Sequence, residues 1–426
     1  MHDQTPVSDA HSDPSGRRSP GARRETATIL LGGGAPNAPL MSGFLQAVYE
    51  DGKTFNNFFT AGAGGLIGLH LVAPRLADRV ENLRMIMQLA VADEIYRYLP
   101  VNYKVFRKNS PLMDPVQKWF NLWKLPPSQD ASRARRRRIY NDLVDLWAVM
   151  ATPGGWHPGA VSMCAVSDDL PKIVDLEKLK EFEGEYFYNA YNIDSGEVEL
   201  FGKDVLDMRH IKAGLAFPFI YPPGEVDGNS YFEGADVDPL NLFGLMDAMS
   251  HDDHGVHFHS DESVGHSIIL VDVMGSLEKP IVRKPKGLWD AYGMSIMTSI
   301  VGCTRWSKAM FRERYIAPDC RHLLGNLHPH QNRVHESFDY DINCDPYGDP
   351  ELRNPENRHR VCEVRFEIPP SDWAEIMDWS YSNLERCYTL GLETGKAWLN
   401  ARDDDGRAHR DLLPDRVENS VNPVRS

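Results

Sequence analysis

The sequence has no uncharged apolar run approaching the ~18 residues that a membrane-spanning helix requires, although 42% of its 426 residues are hydrophobic. Cysteine is sparse: Cys164, Cys303, Cys320, Cys344, Cys362 and Cys387 are widely spaced and form no CxxC pair. That excludes a disulfide framework and a cysteine-rich zinc module, and it fits a reducing compartment. Basic charge is in the minority, with 46 Lys and Arg against 61 Asp and Glu, a formal net charge of -15. A surface that displaces counterions from a phosphate backbone needs clustered cations, so nucleic acid is not an expected partner. The opening stretch MHDQTPVSDAHSDPSGRRSPGARRE lacks the apolar segment of a signal peptide, and residues 1–25 are expected to be a polar, disordered tail. No internal repeat is visible. These absences point to a cytoplasmic protein, with peripheral contact to a membrane left open.

What is present is patterned. Thr26 to Leu31 is a short apolar run with β-branched residues, followed by a Gly-rich turn and by Leu40, Phe44, Ala47 and Val48 at helical spacing, closed by Asp51 and Gly52. A second strand–turn–helix unit follows, TFNNFFTAG then GGLIGLHLVA, stopped by Pro74. Strands alternating with helices imply a mostly parallel sheet covered on both faces, an α/β fold. VSMCAVS, YFYNAYNID, the alternating segment that follows the turn within DSGEVELFG, and SIILVDVMG read as further strands.

Residues 77–150 read as a helical insertion. Within it, DPVQKWFNLWKLPP places Val116, Trp119, Phe120 and Trp123 on one side of a helix. Aromatics at that spacing are expected to be a cap packed on the core, with an interfacial patch as the alternative. The run Arg133 to Arg138 is read as a solvated helix face, the alternative being contact with anionic headgroups. The stretch from His251 to His259 and on to Glu262 has the residue types of a metal site, but no HExxH-like spacing; a polar insertion without metal is expected. HPHQNRVH, ending at His335, is read the same way. Beyond residue 275 a helix at KGLWDAYGMSIMTSIVGCTRW, a strand at RHRVCEVRFEIPP and a long amphipathic helix capped near Ser371 are expected, and residues 401–426 are expected to be a disordered tail.

Four landmarks, in order, resemble the patatin-like phospholipases. The glycine loop GGGAPNAPLMSG, with Gly32, Gly33 and Gly34, is similar to the family's oxyanion loop. TAGAGGL is similar to the elbow GTSAGAL, AGLAFPFIYPP to ASxAxPxxFPP, and EGADVDP to the aspartate segment DG[GA]xxxNxP. The resemblance covers residues 26–275 and implies a three-layer α/β/α fold, a lipid acyl hydrolase with a Ser-Asp dyad, a lipid or acyl-ester ligand and no cofactor. On that alignment residues 276–400 form a C-terminal extension, mainly helical.

The departures from the family lie in the chemistry. The nucleophile slot falls on Gly62, or on Ala63 in a frame shifted by one, and neither has a hydroxyl. The aspartate slot falls on Glu233, and Pro36 and Asn37 stand where a basic residue often follows the glycines. Thr60 and Ser42 are nearby hydroxyls off the apex; Asp236 and Asp238 are carboxylates able to share or replace the role of Glu233, with Asp238 read as a turn former. Without the serine no acyl-enzyme forms, but backbone N–H groups at Gly33 and Gly34 and the start of the following helix would still bind an anion. Three readings remain: hydrolysis by water activated at Glu233, a lipid-binding or regulatory protein without catalysis, or a serine removed by substitution, which would leave Glu233 and Pro36–Asn37 unexplained.

Overall fold

A computed structural model describes residues 24–34, 37–128, 130–154, 162–165, 173–250, 264–274, 284–285, 287–315, 340–342, 359–366, 378–402 and 406–416. Residues 1–23, Pro36, Ser371 and both histidine-rich stretches lie outside them. The strands are β1 (Arg24–Leu31), β2 (Asn57–Thr60), β3 (Arg107–Lys108), β4 (Cys164–Ala165), β5 (Glu185–Asn192), β6 (Glu197–Gly202), β7 (Gly224–Val226), β8 (Asn229–Glu233), β9 (Val264–Val271), β10 (Tyr340–Ile342) and β11 (His359–Val364). The helices are α1 (Ala38–Glu50), α2 (Ala63–Val72), α3 (Arg79–Arg84), α4 (Asp93–Tyr96), α5 (Met113–Asn121), α6 (Ala131–Ala151), α7 (Leu176–Lys180), α8 (Met208–Gly214), α9 (Leu242–Ser250), α10 (Leu288–Tyr315) and α11 (Tyr381–Asn400).

The central sheet runs β10-β11-β9-β1-β2-β5-β8-β7, with β6 on the other edge of β5. β11, β9, β1, β2 and β5 are parallel; β10 and β6 to β8 join antiparallel. In the middle strands both faces are buried, which is why their sequences are continuously apolar. Ile29 and Leu31 face the layer containing α1, α2 and α11, while Leu30 faces the layer containing α9. The α/β/α architecture follows.

Several boundaries differ from the sequence expectation. Among the described residues, VSMCAVS contributes the two residues of β4, paired with β3 in a small sheet of its own. The last long helix begins at Tyr381, not near Ser371, because the Ser380 hydroxyl accepts from the Asn383 N–H and ends the extended approach. The C-terminal part is built into the fold: β11 extends the sheet beside β9, and α11 crosses α1 so closely that a Cβ on Gly43 or Gly391 would strike the opposing backbone. Residues 406–416 are not a tail either. Leu412 and Leu413 are buried in the main core, and Lys53 pairs with Asp415. Their two leucines supply the burial that the surrounding charged composition concealed.

The aromatic helix α5 is the clearest correction. Trp119 and Trp123 are each 56% exposed, so they do not cap the core. What α5 turns inward is Met113, which is buried, and Gln117, whose Nε2 donates to Asp145 Oδ1 at 2.7 Å.

Candidate functional site

The site arises from how β5 is shared. Its first half pairs with β2 (Thr60 opposite Tyr188) and its second half, on the same edge, with β8 (Ala190 opposite Glu233). The ends of β2 and β8 therefore meet tip to tip, two residues apart along one strand, a separation of about 7 Å. After Thr60 the chain turns sharply into α2 through Gly62, at φ 49° and ψ -127°, a backbone state that residues with a Cβ adopt only under strain. The Ala61 N–H donates to the Leu31 carbonyl, and the Tyr188 hydroxyl donates to the Gly62 carbonyl at 2.9 Å. The turn is pinned from both sides.

Glu233 fills the place that the missing side chain vacates. A Cβ on Gly62 would collide with Glu233 Oε1 and lie 2.9 Å from its Cδ and 3.2 Å from the Ala235 methyl. A Cβ on Gly33 would lie 2.6 Å from that same methyl. The glycine loop and the Gly62 turn thus both lie against the Glu233–Ala235 segment. No hydrogen-bond or ion-pair partner is found for the Glu233 carboxyl among the described residues. Burial pushes it well above the usual carboxylate range, and the neighbouring Asp236 reinforces this. Asp236 is itself pushed up to about 7 by burial.

Other sequence candidates are placed less favourably. The Gly33 N–H does not face the site; it donates to the Pro239 carbonyl at 2.9 Å, which holds the loop against the β8–α9 connection. The Gly64 and Gly65 N–H groups close the first turn on the Ala61 and Gly62 carbonyls, leaving the amides of Gly34 and Ala63 without an acceptor among the described residues. Thr60 is fully buried and donates to the Phe187 carbonyl at 2.9 Å, a core hydroxyl. Ser42 is buried within α1. Asp238 serves neither as base nor simply as a turn former. Its carboxyl accepts from the Leu242 and Phe243 N–H groups at 2.9 and 2.8 Å and caps α9, although burial still pushes it up to about 7.

Three supporting residues carried no sequence signal. Tyr188 holds the turn; Asn241, at φ 56°, donates from Nδ2 to the Thr60 carbonyl at 3.0 Å; Tyr221 donates its hydroxyl to the Val105 carbonyl at 3.0 Å and lies in the field of Glu233. The Tyr-Pro-Pro spelling around Tyr221 is part of the motif already quoted, but only the fold shows its hydroxyl bonded to Val105.

Residues 29–246 match the model of the family described as patatin-like phospholipase. The chain belongs to the patatin-like phospholipase family. None of the curated proteins matches it. Among solved structures, that of VipD from Legionella pneumophila is similar at 13% identity with a TM-score of 0.35, over 88% of this chain and 67% of that one. Within the matched region the Glu233 carboxyl occupies the space beside the Gly62 turn. Among the described residues no cluster of three or more metal-ligating side chains occurs, and no helix is long and apolar enough to cross a membrane.

The raised carboxyl groups bear on stability. Asp236 stays protonated in the folded chain up to about pH 7, whereas unfolded it ionises near pH 4. The folded state therefore binds more protons across that window, and stability falls as pH rises through it. Asp236→Asn should remove this loss, gaining on the unsubstituted chain by at most roughly 1.4 kcal/mol per pH unit between about pH 4 and 7 and nothing further above. Urea denaturation at a series of pH values measures it.

Proposed function

We propose that this patatin-like protein binds a fatty acyl group, as a carboxylic-ester lipid or the free acid, and that serine-based hydrolysis has been retired. The observation carrying this reading is the Glu233 carboxyl seated on Gly62, where the attacking atom would stand and where burial disfavours its charged form. Burial raises its pKa and so favours the protonated form. In that form it is a poor base and has a proton to donate. An ester carbonyl or carboxylate at this position would accept that proton in a hydrogen bond, together with the amides of Gly34 and Ala63 at the positive end of α2. Fatty carboxylate binding is thus compatible with a site that cannot form an acyl-enzyme. The free thiols of Cys164, Cys303, Cys362 and Cys387 support placing the protein in the cytoplasm.

A second reading has its own support, because a partner-free carboxyl becomes a base once it ionises. Glu233 would then activate water in alkaline solution. Both are tested by assaying the purified chain against short- and long-chain acyl esters from neutral to alkaline pH, and by titrating it with oleate. The proposal expects oleate binding, weakened in Gly34→Val, and no turnover. Ester hydrolysis that rises with pH and disappears in Glu233→Gln would replace it with the water mechanism; the absence of both binding and turnover would remove the acyl ligand altogether.

A further inference from the structure

We infer that α5 and the first turns of α6 form a docking surface for an anionic lipid bilayer. Gln117 and Lys124 both bind Asp145 of α6, Lys124 Nζ at 2.6 Å, and this fixes the inner side of the α5 segment. On the outer side Leu112, Trp119 and Trp123 recur at helical spacing, with Leu122 beside them at 80% exposure. The two indoles contact each other, their ring centroids 5.7 Å apart. Paired tryptophans with neighbouring leucines are poorly accommodated by water and well accommodated at the headgroup boundary, where an indole buries its ring and keeps its N–H solvated.

Charge selects the kind of surface. Residues 97–140 contain eleven Lys and Arg against two Asp, a balance of +9 in a chain of -15. Some of these cations are used internally: Arg107 pairs with Asp114, Lys104 with Asp142 and Arg135 with Glu94. Lys118, Arg133 and Arg136 are exposed and have no partner among the described residues. Arg137 donates to the Pro126 and Pro127 carbonyls at 2.8 and 2.9 Å, which brings the basic run alongside the end of the tryptophan segment. The rest of the chain carries the acidic excess, so an anionic bilayer is attracted to this face and repelled by the others. A neutral protein partner would use the apolar stripe but would not account for the unpaired arginines.

The surface is joined to the acyl site. Tyr221, in the field of Glu233, is hydrogen-bonded to Val105, two residues before β3, and β3 leads directly into α5. Docking on α5 therefore holds the site near lipid. The geometry of this surface is independent of the acyl-binding reading, which supplies only its purpose.

The test is co-sedimentation of the full chain with vesicles of phosphatidylcholine alone and with about 30% phosphatidylserine, at low and at high salt. The chain should pellet with the anionic vesicles, less with the neutral ones, and salt should weaken the binding. Trp119→Ala/Trp123→Ala and Arg133→Glu/Arg136→Glu should each lower vesicle affinity by about tenfold or more. Brominated lipid should quench the tryptophan emission of the unsubstituted chain, which reports indole contact with the bilayer directly, and circular dichroism should show the tryptophan variant folded. The inference is overturned if the unsubstituted chain stays in the supernatant, if both variants pellet undiminished, or if the tryptophan variant loses self-association while keeping vesicle binding. Oleate titration without vesicles separates the two claims, because its failure alongside intact vesicle binding would sink acyl recognition and leave the docking surface standing.

Discussion

Gly62→Ser combined with Glu233→Asp should yield a measurable esterase, at least about a hundredfold more active than Gly62→Ser alone. The turn at residue 62 retains its sharp φ/ψ, so a serine there would be presented at the apex. Its Cβ, however, would meet Glu233 Oε1, and the Ala235 methyl at 3.2 Å leaves little room on the adjoining side. The single variant must displace a buried carboxyl and place a Cβ at positive φ, a strain of about 1–3 kcal/mol. Shortening residue 233 by one methylene withdraws the carboxyl from that volume, leaving it positioned to accept the hydroxyl proton. The Gly34 and Ala63 amides would then face the developing oxyanion. Hydrolysis of a chromogenic short-chain ester measures the gain, and an acyl adduct on residue 62 seen by mass spectrometry identifies its route. Equal rates for the single and double variants would show that Glu233 is not the obstruction.

Lys308→Met should cost about 3–5 kcal/mol of folding stability, the largest loss expected from one substitution outside the hydrophobic core. The Lys308 ammonium on α10 lies between Asp272, which follows β9, at 2.7 Å and Glu363 of β11 at 2.6 Å, all three nearly inaccessible. Burial alone would lower its pKa, but the two carboxylates outweigh that and hold it above its ordinary value. Removing the ammonium leaves two carboxylates buried, with Arg365 Nε, 3.5 Å from Glu363, and the Met274 N–H, which donates to Asp272 Oδ1 at 2.9 Å, in partial compensation. Urea denaturation should show the midpoint falling steeply. Glu363→Gln in the Lys308→Met background should recover part of the loss. A midpoint unchanged by Lys308→Met would mean that the cluster contributes nothing to holding α10 and β11 on the sheet.

Most of the fold was legible because its signals are local. The apolar run through Leu31, the glycines after it and the helical spacing of Leu40 to Val48 are short-range consequences of strand and helix geometry, and they place β1, α1, β2 and α2 without tertiary information. Where the sequence misled, the deciding contact came from elsewhere in the chain. Ser380 caps the last helix through its bond to Asn383, and Leu412 and Leu413 turned a charged stretch into core because Lys53 and the main cluster were there to receive them. The aromatic helix α5 has the periodicity of a packed element, but periodicity specifies only that its tryptophans share a side. It is silent on whether that side meets protein or solvent.

The sequence by itself determined the alternating strand–helix order and the absence of a hydroxyl at Gly62 and Ala63, since both are properties of residues read in place. Only the tertiary structure decided what became of the vacated position. β2 and β8 share one edge of β5, so the Glu233 carboxyl comes to rest on Gly62, the Gly33 amide is spent on Pro239, and Asp238 turns away to cap α9. A volume emptied in one segment is filled by whichever side chain the sheet brings alongside, and that pairing joins residues too distant in sequence for any local pattern to connect.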